Sequence, residues 1–193
     1  MSKRKTDLVG IIAEDDSDVE SIKILIHRIA DNDTIGIKKF VGRGCGKIIS
    51  KSKAWVKILR DQGCTVLILV HDLDKNKLDV LKAKLESCIN PCPFEKYLIC
   101  IPVLELESWL LSDTVAIKTA LNLKKLPKIE GNTFDIADPK EFLERIIASN
   151  SNNEKRYLNT VHNKLISKEL SIEKAKEKNP SFVPFYNFVK NNL

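Results

Sequence analysis

Thr65-Val66-Leu67-Ile68-Leu69-Val70-His71-Asp72-Leu73-Asp74 decides the fold. A short run this apolar and rich in β-branched residues predicts a strand buried on both faces, as in a parallel sheet covered by helices. It breaks off abruptly into acids. The same motif stands upstream, where Leu8-Val9-Gly10-Ile11-Ile12-Ala13 runs into Glu14. Ile35 to Val41 reads as a weaker strand and Tyr97 to Val103 as a fourth. Between them lie helical patterns. Asp18 to Asp31 carries Val19, Ile22, Ile26 and Ile29 on one stripe. Ile48 to Leu59 is closed by Gly63, and Leu78 to Ile89 is ended by Asn90-Pro91.

Each strand therefore returns through a crossover long enough for a helix. That predicts a mostly parallel, four-stranded, Rossmann-like α/β sheet with right-handed connections. After Leu104 the pattern turns helical: Glu105 to Leu111, Val115 to Leu121, Lys140 to Ala148 with Pro139 in its first turn, then stretches near 157–165, 172–178 and 182–191. Residues 1–113 are expected to form the α/β core. Residues 114–193 would be a helical C-terminal extension packed on it, the whole making one structural unit.

Composition narrows the class. The chain has 193 residues, is 43% hydrophobic and 30% charged, and carries a net charge of +6. That excludes wholesale disorder. No apolar run approaches the ~20 residues of a membrane helix. The basic start, Met1 to Lys5, meets Glu14-Asp15-Asp16 after a short apolar stretch, so it does not read as a signal peptide. Five scattered cysteines point to a reducing cytoplasm. Cys45, Cys64 and Cys100 read as packing residues. Cys88 and Cys92 lack the second pair that a zinc site needs.

In open α/β sheets the functional crevice lies beyond the carboxyl ends of the strands. Three strand ends here carry acids: Glu14 followed by Asp15, Asp16 and Asp18; Asp72 and Asp74; Glu105 and Glu107. Residues two apart in an extended segment point the same way, so Asp72 and Asp74 can face one point. Converging carboxylates repel unless a cation neutralises them. Hard oxygen donors suit Mg2+ or Mn2+. The plainer alternative is that such acids cap helices and fill turns. It is the expected role of Asp15, Asp16 and Asp113.

Glu14-Asp15-Asp16-Ser17-Asp18 and Asp72-Leu73-Asp74 resemble the first and D-x-D motifs of the TOPRIM fold. The Glu14-to-Asp18 spacing is similar to that of nucleases of the OLD type. The segment Ile101 to Asp113 and the closing Asn179-Pro180-Ser181-Phe182 resemble small stand-alone TOPRIM-like proteins of bacterial defence loci. One departure is Asp15, where many members have glycine. The resemblance implies metal-assisted phosphoryl chemistry, with Glu14, Asp72 and Asp74 on one ion. Asp18 with Glu107 or Glu105 would hold a second, roughly 4 Å away. It also implies a catalytic role for Glu14 and a lysine near the scissile phosphate, Lys155 before Lys164. The family's topoisomerases and primases need tyrosine-bearing or zinc modules for which Tyr97, Tyr157 and Tyr186 have no surrounding domain. Hydrolysis by water is left.

From Thr34 to Arg60 there is no acid, while Lys38, Lys39, Arg43, Lys47, Lys51, Lys53, Lys57 and Arg60 all fall there. Such a window favours nucleic acid, DNA or RNA. Gly42, Gly44 and Gly46 before a helix could cradle a phosphate, without the spacing of a nucleotide-binding loop. Residues 151–193 hold eight Lys+Arg against four Asp+Glu. The first expectation is a divalent-metal-dependent nuclease, possible as a homodimer. The second is a non-catalytic binding or regulatory module acting with a partner ATPase. A phosphate-accepting receiver domain is a third, weakened by the missing fifth strand.

Overall fold

The computed structural model describes residues 8–193. The basic Met1–Lys5 segment and the side chain of Cys45 lie outside what it describes. The chain divides into two compact units. The first takes the chain up to His71, then residues 76–101 and 188–193; the second takes 72–75 and 102–187. Residues 102–113, grouped with the sheet in the sequence analysis, thus fall with the later helices.

The first unit holds four strands: β1 (Leu8–Ala13), β2 (Gly36–Val41), β3 (Val66–Val70) and β4 (Lys96–Cys100). All pair in parallel, in the order β2-β1-β3-β4. This is a Rossmann-like α/β sheet flanked by helices. The two central strands are the two most apolar, because only they are paired on both edges. Every residue of β3 is buried. β4 stops before the predicted Val103, since Pro102 has no N–H to give to a ladder.

Helices α1 (Asp16–Ala30), α2 (Cys45–Asp61) and α3 (Leu78–Ile89) are the crossovers. Gly10 explains how closely α2 lies on β1. A Cβ there would stand 2.9 Å from Leu59 Cδ1. α2 starts earlier than Ile48, because Gly44, at φ 120°, turns the chain into the helix and Gly46 lies in its first turn. Gly42 serves packing: a Cβ on it would meet Ile48 Cγ1 at 2.8 Å.

The second unit is helical, with α4 (Glu107–Leu110), α5 (Thr114–Leu121), a 3-10 turn (Thr133–Asp135), α6 (Pro139–Asn150), α7 (Asn159–Glu169) and α8 (Ile172–Lys178). α9 (Phe182–Asn192) begins in it, and its residues from Phe188 on belong to the first unit. Trp109 is the centre of its core. Phe182 meets the indole edge-on at 5.0 Å and Phe185 stacks at 5.5 Å. The indole N–H donates to Ser181 Oγ at 2.8 Å. Burying Trp109 therefore leaves no donor unpaired.

Candidate functional site

In the first unit, Glu14 follows β1 directly. The register pairs Ile12 with Leu69. Two residues further along, Glu14 and His71 meet, with Oε1 3.3 Å from Nδ1. His71 is almost fully buried and Glu14 partly so. A buried carboxylate is costly alone, and the His71 ring lies beside this one. The Glu14 carbonyl accepts from the Arg43 N–H at 2.7 Å, tying the end of β1 to the turn after β2.

Asp15 and Asp18 form a capping box on α1. Asp15 Oδ1 accepts from the N–H groups of Ser17 (2.7 Å) and Asp18 (3.0 Å). Asp18 Oδ2 accepts from the Asp15 N–H at 3.2 Å. One oxygen of Asp18 is thereby given to the helix end. Asp15 has φ −137°, extended backbone open to any residue, so the departure from glycine strains nothing. Asp16 pairs with Lys39 at 2.7 Å.

In the second unit the acids stand on a turn of unusual geometry. The Leu73 N–H donates to the Pro102 carbonyl at 3.0 Å, and Asp74 N–H to the Leu104 carbonyl at 2.9 Å. Asp74 (φ 48°) and Leu104 (φ 62°) both lie in the left-handed region, which disfavours a branched side chain such as leucine. Asp72 Oδ1 accepts from the Leu106 N–H at 3.1 Å, and Glu105 Oε2 from the Lys140 N–H at 2.9 Å. Burial pushes the Glu105 carboxyl above the ordinary glutamate range. The Lys140 N–H opposes that rise, and the negative charges of Glu107 and Asp74 add to it. Glu107 is 5% exposed, and its Oε1 accepts from Tyr157 Oη (2.9 Å) and Asn163 Nδ2 (3.1 Å). Burial, then the Glu107 charge, push the Tyr157 hydroxyl far up, so it stays a donor.

Residues 13–190 match the family described as "Domain of unknown function (DUF4276)". The chain belongs to that family. No curated protein and no solved structure matches it. The DUF4276 match spans every candidate acid from Glu14 to Glu107, the basic window and Lys155.

The acids of this DUF4276 chain are hard oxygen donors of the kind a divalent ion takes, but they are not assembled as a cage. Among the described residues, no three His, Cys, Asp or Glu side chains stand together closely enough to hold a metal ion. Lys155 donates through Nζ to the Leu121 carbonyl, at the end of α5. It lines a cavity of about 190 Å³ with Ala120, His162 and Leu165. Its ammonium thus serves a helix C-terminus. Asp113 is a cap, as expected, accepting from the N–H groups of Val115 and Ala116.

The basic residues separate by strand alternation. Lys39 faces α1, where Asp16 and Glu20 neutralise it. Lys38 points to the other face, with Phe40, whose ring stacks on Trp55 of α2 at 5.2 Å. Lys38, Arg43, Lys47, Lys51 and Lys53 are all exposed. Sequence analysis missed His71 as the partner of Glu14, and Tyr157 and Asn163 as the clamp on Glu107. The first was readable from β1 and β3 being neighbours. The second joins residues fifty and more apart, and no local pattern announces it.

Proposed function

We propose that this chain is a divalent-metal-dependent phosphodiesterase acting on nucleic acid in a reducing cytoplasm, in the manner of the TOPRIM-like nucleases it resembles. One observation carries the proposal. Glu105 is pushed up by burial and, beyond the opposing Lys140 N–H, by the charges of Glu107 and Asp74. A half-buried carboxyl that two further acids push the same way, beside the left-handed Asp74 and Leu104, is a setting a bound cation would relieve. Asp72, Asp74, Glu105 and Glu107 are the second unit's ligands in this proposal, and Glu14 is the first unit's acid. Mg2+ or Mn2+ would supply charge neutralisation at the phosphate. Asp72 is oriented by the Leu106 N–H, Glu105 by the Lys140 N–H, and Glu107 by Tyr157 and Asn163. The free thiols Cys64, Cys88, Cys92 and Cys100 accord with a reducing compartment.

The second proposal is a binding module that hydrolyses nothing alone and acts with a partner such as an ATPase. It draws on the absence of a three-ligand cluster among the described residues and on Lys155 being given to the end of α5.

Cleavage of labelled single- and double-stranded DNA and RNA decides between them, with Mg2+ or Mn2+ against EDTA. Wild type is expected to cleave only with metal. Asp72→Ala/Asp74→Ala is expected to lose at least about a hundredfold, the scale of a lost charge-stabilising group. Salt-sensitive binding without cleavage, equal in the double variant, overturns hydrolysis and leaves the module.

A further inference from the structure

The exposed surface of α2 carries two lines of long side chains, with the exposed Ser50, Ala54 and Asp61 between them. Lys47, Lys51, Trp55 and Ile58 follow one another at spacings of four, four and three, which places them along one side of the helix. Lys53, Lys57 and Arg60 form the second line, on the other side of the buried Ile48, Val56 and Leu59 stripe. The first line borders β2. There Trp55 and Phe40 lie parallel, centroids 5.2 Å apart and planes at 0°, both only partly buried. Lys38 shares the Phe40 face of the strand. Ile58 is 41% exposed one turn beyond Trp55.

A partly buried indole beside an exposed isoleucine stands out on a helix whose other long exposed side chains are lysine and arginine, up to Asp61 at its C-terminal end. If charge alone were needed, lysines would suffice and duplex phosphates would satisfy them. An aromatic pair between lysines fits a ligand with both a repeating anion and flat apolar faces. Unpaired bases offer such faces, whereas in a duplex they are stacked away. The window Thr34 to Arg60, which supplies all of these residues, contains no acid.

We propose that this side of α2 binds single-stranded nucleic acid, with the Phe40–Trp55 pair as a stacking platform and Lys38, Lys47 and Lys51 on the adjoining phosphates. This names the substrate class for the nucleic-acid reading above and rests on it, but not on hydrolysis.

Trp55 reports on its own site. The chain has two tryptophans, and Trp109 is fully buried. Titration with oligothymidylate in EDTA, followed by tryptophan fluorescence, is therefore specific and free of metal-dependent cleavage. Added strand is expected to quench the emission, with an affinity that falls steeply between roughly 50 and 200 mM salt. Lys47→Gln/Lys51→Gln is expected to flatten the slope of log K against log salt by about 0.7 per lysine. Lys53→Gln/Lys57→Gln should flatten it less. Trp55→Leu, checked for an unchanged melting temperature and followed by anisotropy of a labelled strand, is expected to lose about tenfold in affinity. Absence of quenching, equal binding of the matching duplex, or an equal loss in the Lys53/Lys57 variant overturns the proposal. Binding without cleavage in metal keeps it and removes hydrolysis; cleavage without quenching does the reverse.

Discussion

Asp113 shows what one buried carboxylate does when its partners are complete. It is 4% exposed and accepts from the Val115, Ala116 and Ser171 N–H groups. Lys174 Nζ lies 2.8 Å away. Burial alone would raise its pKa; the Lys174 ammonium and the backbone donors outweigh it and hold the carboxyl below the usual aspartate range. A depressed folded pKa gives stability that is present above the unfolded value, near 3.8, and lost as pH falls through the folded one. Asp113→Asn is therefore expected to lower stability at neutral pH by about 1–3 kcal/mol. The gap to wild type should narrow below about pH 4. Urea midpoints at neutral and acid pH check this, and a gap that does not change with pH would contradict it. The capping role of Asp113 was legible because an acid one residue before a helical stripe has one obvious task. Glu107 reads as an acid directly after a strand, whereas β4 ends at Cys100 and Glu107 opens α4. Its dependence on Tyr157 and Asn163 was not legible, since hydrogen bonds across fifty residues leave no periodic trace.

At the level of elements, the alternation of apolar strands with amphipathic helices carried most of the fold. β3 needed no help from context, because its sequence fits nothing but a strand buried on both faces. The ends of elements were read less well, and in two cases a single backbone property decided. Pro102 stops β4 early, and Gly44 lets α2 start early. The close approach of α2 to β1 rests on a missing side chain. Gly10→Ala would set a Cβ 2.9 Å from Leu59 Cδ1 and 3.3 Å from Leu59 Cβ. Leu59 is fully buried and cannot swing into solvent. The expected loss is about 1–3 kcal/mol, from overpacking, read as a lower thermal midpoint. Gly46→Ala is the control at the same helix, since nothing lies within 4 Å of its added Cβ. A Gly10→Ala protein as stable as wild type would mean that α2 can shift on the sheet at no cost.

Over the whole chain, charge is distributed unevenly rather than mixed. The acid-free window lies in the first unit, and Glu105 with the acids that act on it, Glu107 and Asp74, lies in the second. A surplus of +6 favours a polyanionic partner. The acids oppose that trend and therefore need a separate reason. Glu105 supplies the test. Its folded pKa lies above the ordinary value, through burial first and then its acidic neighbours. Its penalty is absent at acid pH, where it is protonated in both states, and grows as pH rises through the ordinary glutamate value. At neutral pH in EDTA, Glu105→Gln removes the charge while its amide oxygen can still accept from Lys140. That variant is expected to melt about 1–3 °C above wild type, the scale of a fraction of a kcal/mol in a chain of this length. Saturating Mn2+ should reverse the order. At about a hundred times its dissociation constant, a ligand bound only by the folded state adds about 2.7 kcal/mol. That amounts to a rise of roughly 5–10 °C in wild type. The variant has lost one donor and should gain less. If Mn2+ raises neither protein, or both equally, Glu105 is not part of a metal site, and its strained setting would then belong to the fold alone.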